Sequence, residues 1–185
     1  MICYEFKGGI GTSSRRFSQR GRTYTVGVLV QANHGRREQL LVSGVPAGLE
    51  LAENAVRKKE AGSIIIVIAT DAPLLPHQLK RIARRASLGL ARTGSTSGNG
   101  SGDLFIAFST SRAHRAANEQ VATVEMLSND EISPHFDATV QATEEAIINA
   151  LIGARTMTGI DDHRVVALPH EQLKDVMKKF NRLKP

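Results

Sequence analysis

The stretch "SIIIVIATDAPLLPHQLKRIARRASLGLAR", residues 63–92, decides the fold class. Its first eight residues form a continuous apolar, mostly β-branched run that is typical of a strand buried on both faces. After the turn-forming segment "DAPLLP", apolar residues recur at helical spacing over residues 76–92, on one side of a basic helix: Leu79, Ile82, Ala83, Ala86 and Leu90. A buried strand followed by an amphipathic helix indicates a layered α/β fold.

The same alternation of strands and helices continues on both sides of this stretch. Strands are predicted at 23–33 and 103–110 and a further one at 120–126, with helices at 50–60, 134–152 and 170–183. Ser133 and Pro134 are typical of an N-cap followed by proline at the first helical position. The segment "GGIGTSS", residues 8–14, matches no phosphate-binding pattern and is predicted to be a loop. Without repeats or linkers, residues 1–185 are predicted to form a single domain, a layered α/β sandwich.

Length and composition exclude several protein classes. A chain of 185 residues that is 41% hydrophobic can form one globular domain with a sizeable core. Its one cysteine, Cys3, cannot form an internal disulfide, and no partner motif supports it as a nucleophile. No run approaches the roughly 20 apolar residues of a membrane span, and the N-terminus lacks the pattern of a signal peptide. We therefore expect a cytoplasmic protein without a membrane partner.

The charge pattern and the histidines bear on nucleic-acid and metal binding. The net charge is +6, but the basic residues lie in several separate segments, and aromatic residues make up 4% of the chain with no tryptophan. No stacking platform for bases is visible, so solvated basic faces are favoured over a nucleic-acid site, although a module using the helix at 77–92 stays an alternative. The six histidines are scattered and no H-E-x-x-H motif occurs, which predicts neither metal nor cofactor.

The segment "NGSGD", residues 99–103, is the strongest candidate for chemistry. It is not the nucleophile elbow of α/β-hydrolases, because Asn99 and Asp103 stand where that motif needs glycine. Glycines on both sides of Ser101 would let its hydroxyl attack the carbonyl of Gly100. Cleavage there would leave Ser101 as a new N-terminus whose α-amine could act as a general base. A plain Gly/Ser-rich loop is the alternative interpretation.

Several motifs occur together in one order: "FKGGIGTSSR", "YTVGVLVQAN", "ATDAPLLPHQLKRIARRASLGLARTGS", "SGDLFIAFST" and "FDATVQATEEAIINAL". Together they resemble the L-aminopeptidase/D-esterase family, which includes the β-aminopeptidases. The resemblance implies an α-β-β-α sandwich similar to N-terminal-nucleophile hydrolases, with different strand connectivity. It also implies self-cleavage between Gly100 and Ser101 into portions 1–100 and 101–185. Ser101 would then hydrolyse the N-terminal residue from peptides, amides or esters through an acyl-enzyme, without a cofactor.

The supporting residues follow partly from the resemblance and partly from chemistry. The family pairs its nucleophile with a second hydroxyl and a glutamate two residues apart, which implies Thr143 and Glu145 here. Thr143 also fits a core threonine bonded to its own helix, and both interpretations stay open. An asparagine can donate to the oxyanion of a tetrahedral intermediate, and Asn33 at the end of a predicted strand is the candidate, with Asn149 second.

The chain also departs from the family pattern. The resemblance implies a long segment before "FKGGIGTSSR" that contributes strands and an oxyanion-binding tyrosine, whereas here that motif begins at Phe6. We therefore expect a sandwich that is incomplete at its N-terminus. The strands 24–32 and 63–69 are expected to lack neighbours, which favours homo-oligomers. The second functional hypothesis is an inactive scaffold that only binds itself or a partner.

Overall fold

The computed structural model describes residues 1–53, 62–111 and 124–183. The strands are β1 Ile2–Cys3, β2 Phe6–Lys7, β3 Gly9–Gln19, β4 Arg22–Asn33, β5 Ser63–Thr70, β6 Leu104–Ser109, β7 Met157–Thr158 and β8 Arg164–Val165. The helices are α1 Ala47–Glu50, α2 Pro76–Arg92, α3 Ser133–Ile152 and α4 His170–Lys179. None of these helices is both long enough and apolar enough to cross a bilayer.

A mixed four-stranded sheet in the order β3-β4-β5-β6 is the centre of the fold. β4 is antiparallel to both β3 and β5, and β5 is parallel to β6. The strands predicted at 23–33, 63–70 and 103–110 are confirmed to within a residue. The expectation that 24–32 and 63–69 lack neighbours is wrong, because β4 and β5 are the two central strands and β3 and β6 form the edges.

Helices α2 and α3 cover one face of this sheet and confirm the layered α/β prediction. On α2, Ile82, Ala86 and Leu90 are fully buried, as its apolar periodicity predicts. Its basic side is partly used for packing, since the guanidinium groups of Arg81 and Arg85 lie over the Phe136 ring of α3 at 5.1 and 3.9 Å. α3 begins at Ser133, so the residue that precedes the helix is Ile132 and the predicted Ser133 N-cap is wrong by one position.

The "GGIGTSS" segment corrects a second prediction, because Gly9 to Ser14 belong to β3 and not to a loop. Gly11 is required here by packing. A Cβ at this position would lie 2.0 Å from the carbonyl oxygen of Ala146 and 2.6 Å from the backbone nitrogen of Ala150. Glycine therefore lets α3 approach the sheet closely. The pattern that suggested a turn instead reflects contact between a strand and a helix.

The opposite face of the sheet is exposed and apolar. Along β5, burial alternates between fully and partly buried residues, so the prediction that this strand is buried on both faces is wrong. We call this surface the open face; its exposed large apolar residues are Ile10, Leu29, Leu104, Ile106 and Phe108. The four-stranded sheet thus has α2 and α3 on one side, while β1 with β2 and β7 with β8 form separate two-stranded sheets.

Two remaining predictions fall partly outside the described residues. The helix predicted at 50–60 extends into residues 54–61, which lie outside them, and residues 51–53 are not helical. For the strand predicted at 120–126, residues 124–126 have no regular structure and the preceding ones lie outside the described ranges. The C-terminal helix predicted at 170–183 is confirmed but ends at Lys179.

Candidate active site

Ser101 follows a hydrogen-bonded turn at the amino end of β6. The Ser101 N–H donates to the carbonyl of Gly98 at 2.8 Å, which places Asn99 and Gly100 at the two corners of a β-turn. Both corner residues are exposed, whereas Ser101 is half-buried. Solvent therefore reaches the Gly100–Ser101 peptide bond, and the residue after it is held against the protein.

Asp103 holds the hydroxyl of Ser101. The carboxylate oxygen Oδ1 accepts hydrogen bonds from the Ser101 hydroxyl at 2.5 Å and from the Ile64 N–H at 3.0 Å. The Ser97 hydroxyl donates to Oδ2 at 2.7 Å. Burial by itself would raise the pKa of Asp103, but these hydrogen bonds and the neighbouring His34 lower that pKa below the usual aspartate value. The carboxylate is therefore ionised at neutral pH and acts as an acceptor.

Asn33 lies at the same end of the sheet as Ser101. It is the last residue of β4 and pairs in register with Ser63, whose hydroxyl accepts the Gly102 N–H at 2.9 Å. The Asn33 side-chain oxygen accepts the Ile2 N–H at 2.8 Å, which fixes the amide group. Its Nδ2 lies beside Gly62, 3.0 Å from where a Cβ on that glycine would be. The structure thus brings Asn33 into the neighbourhood of Ser101.

A buried cluster of Cys3, Tyr4 and His34 lies behind this end of the sheet. The His34 ring packs edge-on against Tyr4, with 5.0 Å between centroids, and its Nδ1 lies 3.9 Å from the Cys3 sulfur. Burial lowers the pKa of His34 to about 4, although Asp103 acts to raise it, so the imidazole is neutral at pH 7. Burial also raises the pKa of the Cys3 thiol, which argues against Cys3 as a nucleophile.

Thr143 and Glu145 lie elsewhere. Thr143 of α3 is fully buried against α2, and a Cβ added at Gly89 of α2 would lie 2.6 Å from the Cβ of Thr143. The Thr143 hydroxyl has no hydrogen-bond partner in the described part of the chain. The Glu145 carboxylate is half-exposed and accepts from Ser13 at 2.6 Å and from Arg15. These bonds lower the pKa of Glu145. Neither side chain is hydrogen-bonded to Ser101.

The sheet register shows how far Glu145 is from Ser101. Ser13 pairs across the sheet with Val28, Val28 with Ile68, and Ile68 with Ala107 of β6. Ser101 lies six residues before Ala107 in the sequence. Three strand spacings separate β3 from β6 by roughly 14 Å across the sheet, and the position on β6 level with Ser13 is itself well beyond Ser101 in the chain. The second candidate asparagine, Asn149, also lies over β3, where its amide donates to the Thr12 carbonyl at 2.9 Å.

The sequence did not predict that this site includes Asp103, Ser97 and His34. In the sequence, Asp103 stands out because it breaks the nucleophile-elbow pattern, but its position two residues after Ser101 also indicates a contact between the two side chains. In extended chain, residues two apart point to the same side, so Ser101 and Asp103 are placed to interact. The contacts of Ser97 and His34 depend on how the loops meet, and no spacing in the sequence indicates them.

The spacing of possible metal ligands and the position of a cavity lined by charged residues bear on ligand binding. Within residues 1–53, 62–111 and 124–183, no three His, Cys, Asp or Glu side chains cluster closely enough to hold a metal ion. A cavity of about 670 Å³ lies on the helical side, and Arg15, Arg92, Glu144 and Glu145 are among its lining residues. Ser101 is not among them.

Comparison with known proteins gives consistent matches over nearly the whole chain. Two curated relatives are named β-peptidyl aminopeptidase BapA. The one from Sphingosinicella microcystinivorans is 47% identical over 99% of this chain and 50% of its own length, and the one from Sphingosinicella xenopeptidilytica is 46% identical over 96% and 48%. The chain therefore spans about half the length of the curated relatives it matches.

Solved structures agree with this result. The PH0078 protein from Pyrococcus horikoshii OT3 matches with a TM-score of 0.91 and 51% identity, over 98% of this chain and 50% of that one. The L-aminopeptidase D-Ala-esterase/amidase from Ochrobactrum anthropi matches with a TM-score of 0.90 and 46% identity, over 100% of this chain and 51% of that one. That enzyme is described as a new variant of the Ntn hydrolase fold, which confirms the predicted fold class.

The family assignment rests on a direct match as well. The sequence profile described as peptidase family S58 covers residues 1–165, which include the turn at Gly98–Ser101, Asp103 and all four strands of the central sheet. The resemblance predicted from the motifs is confirmed by these matches. The chain belongs to peptidase family S58.

Proposed function

We propose that this chain is the self-processing core of a serine aminopeptidase, in which Ser101 is the nucleophile that self-cleavage releases. The observation that carries the proposal is the position of Ser101. It follows an exposed glycine-containing turn, its hydroxyl is hydrogen-bonded to an ionised carboxylate, and it lies three residues before the first residue of β6. Cleavage before Ser101 would place a free amine and a hydroxyl on one residue at the head of that strand.

Self-cleavage proceeds in two steps. The Ser101 hydroxyl oxygen attacks the carbonyl carbon of Gly100, the carbon–nitrogen bond breaks, and the nitrogen of Ser101 takes up a proton to become an amine. This leaves Gly100 joined to the Ser101 oxygen as an ester. Water then hydrolyses the ester, giving a carboxylate on Gly100 and restoring the serine hydroxyl.

Substrate hydrolysis would reuse the same hydroxyl. The α-amine of Ser101, with a pKa of roughly 8 for an ordinary N-terminus, accepts the hydroxyl proton as the oxygen attacks the substrate carbonyl. An acyl-enzyme forms, the leaving amine takes the proton, and water releases the acyl group. Asn33, at the same end of the sheet, is the proposed donor to the oxyanion.

The names of the relatives support an N-terminal residue of a peptide, amide or ester as the substrate class, since they include β-peptidyl aminopeptidases and an L-aminopeptidase D-Ala-esterase/amidase. Thr143 and Glu145, implied by the family resemblance, are kept as a proposal for the second hydroxyl and the carboxylate. Neither is hydrogen-bonded to Ser101, and Glu145 contacts Ser13 on β3, at the opposite edge of the sheet from β6, which counts against them.

The test is the intact mass of the purified chain beside a Ser101→Ala variant. We expect two fragments meeting at Gly100 and Ser101 in the wild type and one uncut chain in the variant. A Ser97→Ala variant, which alters the same loop but keeps the hydroxyl of Ser101, should still be cut. An uncut wild-type chain would contradict the proposal and favour the inactive scaffold.

A further inference from the structure

Self-cleavage needs a group that takes the hydroxyl proton of Ser101, and neither the motif nor the relatives' names assign one. We propose that the carboxylate of Asp103 is this proton acceptor. The inference rests on the proposed self-cleavage and adds a catalytic residue to it.

The contact geometry is the first argument. The oxygen that must lose its proton lies 2.5 Å from Oδ1 of Asp103, within the range of a strong charge-assisted hydrogen bond. The carboxylate is itself fixed from two directions, by the Ile64 N–H of the central strand β5 and by the Ser97 hydroxyl in the preceding loop. The acceptor is thus anchored to the sheet, while the bond that breaks lies in the exposed turn.

The other described groups near Ser101 are not hydrogen-bonded to its hydroxyl. Before cleavage Ser101 has no α-amine, and its N–H is bonded to Gly98. The Ser63 hydroxyl accepts from Gly102. The Nδ1 of His34 lies beside the Cys3 sulfur and its Nε2 has no partner among the described residues, so neither ring nitrogen is hydrogen-bonded to Ser101. Among the described residues, Asp103 is the one whose side chain is hydrogen-bonded to the hydroxyl of Ser101.

The proton balance closes without an external reagent. As the Ser101 oxygen forms its bond to the Gly100 carbon, its proton moves to Oδ1 of Asp103. As the carbon–nitrogen bond breaks, Asp103 passes that proton to the departing nitrogen and returns to its ionised form. Water is consumed only afterwards, in ester hydrolysis, where Asp103 can take one proton from the water and deliver it to the Ser101 oxygen.

The charge state of Asp103 suits this role. Its lowered pKa keeps it ionised at neutral and mildly acidic pH. His34 is the titratable group that acts on it among the described residues, and it is neutral until the pH falls to about 4. A cleavage rate controlled by Asp103 should therefore be level through neutral pH and fall only in acid.

The experiment follows cleavage during cell-free synthesis of the full 185-residue chain, with fragments resolved by mass. Asp103→Asn keeps an oxygen that can accept from Ser101 and Ile64 but cannot take the proton, and we expect it to slow cleavage about a hundredfold or more. The matched variant Ser97→Ala removes one donor to the same carboxylate without touching the reacting hydroxyl. We expect it to slow cleavage less than about tenfold.

The wild-type pH profile is the second measurement and does not depend on the variant folding. A level rate from about pH 6 to about pH 8 supports Asp103, whereas a rise of about tenfold per pH unit indicates attack assisted by hydroxide and overturns the inference. If the wild-type chain is cut and a folded Asp103→Asn variant is cut equally fast, the inference about Asp103 is overturned while the proposed function stands. A wild-type chain that is never cut overturns the proposed function as well.

Discussion

Two threonines one turn apart in α3 show how the surroundings of a residue decide its role. Both are fully buried, but the Thr139 hydroxyl donates to the carbonyl of His135 at 2.7 Å, whereas the Thr143 hydroxyl has no partner among the described residues. The core interpretation of Thr143 thus fits its burial, although the bond back to its own helix is made by Thr139 instead. The glycines that flank Ser101 pointed to that residue, whereas the sequence left two interpretations of Thr143 open because the environment of Thr143 is formed by α2.

Replacing Thr143 by valine should stabilise the protein. The change keeps the shape of the side chain and removes a buried hydroxyl without a partner, so we expect the free energy of unfolding to rise by about 1 kcal/mol. The matched control is Thr139→Val, which removes a hydrogen-bonded hydroxyl. We expect it to lower the free energy of unfolding by about 1 kcal/mol. Urea unfolding of both variants measures the difference. An equal loss of stability in both would mean that Thr143 does have a partner.

At the scale of elements, hydrophobic periodicity was a good guide where an element forms its own pattern. β4, β5 and α2 were predicted closely, because their apolar residues repeat with the period of the structure they adopt. β3 was missed because its small residues reflect the approach of α3, which local sequence does not indicate. The partial burial of one side of β5 was missed for a related reason, since a β-branched run does not indicate whether a second layer covers the strand.

Adding a methyl group to Gly11 should test this close approach of strand and helix. Gly11→Ala would place its Cβ 2.0 Å from the Ala146 carbonyl oxygen, which is backbone and cannot turn aside. We expect a loss of about 1–3 kcal/mol in the free energy of unfolding, measured with urea. Gly27→Ala on the neighbouring strand is the control, because no atom lies within 4 Å of its added Cβ. If both variants were equally stable, α3 would not pack on β3 as described.

At the scale of the whole molecule, two buried histidines make stability depend on pH. Burial lowers the pKa of both His34 and His135 from 6.5 to about 4, although Asp103 and Asp71 respectively act to raise it. Below pH 6.5 the unfolded chain therefore binds protons that the folded chain does not. The stability that the two neutral histidines contribute to the folded protein is fully present above pH 6.5 and is lost as the pH falls towards 4.

Removing His135 should weaken this dependence. His135 is fully buried, and neither of its ring nitrogens has a hydrogen-bond partner in the described part of the chain, so leucine can replace it without breaking a described side-chain bond. Between about pH 7 and about pH 4.5 we expect His135→Leu to lose roughly 2 kcal/mol less than the wild type in urea unfolding. His163→Leu, at an exposed position, should leave the dependence unchanged. Equal curves for all three proteins would show that His135 is not buried.

The open face predicts self-association of this chain. Leu104, Ile106 and Phe108 are each exposed by more than two fifths on adjacent positions of one strand face, a surface that proteins usually cover. We propose that copies of this chain meet through it, and we expect sedimentation velocity to show species larger than a monomer. Ile106→Lys should shift the distribution towards monomer, and Ser14→Lys, on the polar margin of the same face, should not. A monomeric wild type at all concentrations would contradict this.

The position of Ser101 within the sheet has a consequence for how the protein folds. β3, β4 and β5 precede the proposed cleavage point, whereas β6 and α3 follow it, and α3 packs over β3 and β4. Cleavage would leave the pairing of β5 with β6 as a contact between two polypeptides. The uncut precursor can fold in a first-order reaction, but the cut form, once unfolded, can return only when its two fragments meet, at a rate set by their concentration. Processing would thus convert a reversible folding reaction into an assembly that dilution makes nearly irreversible.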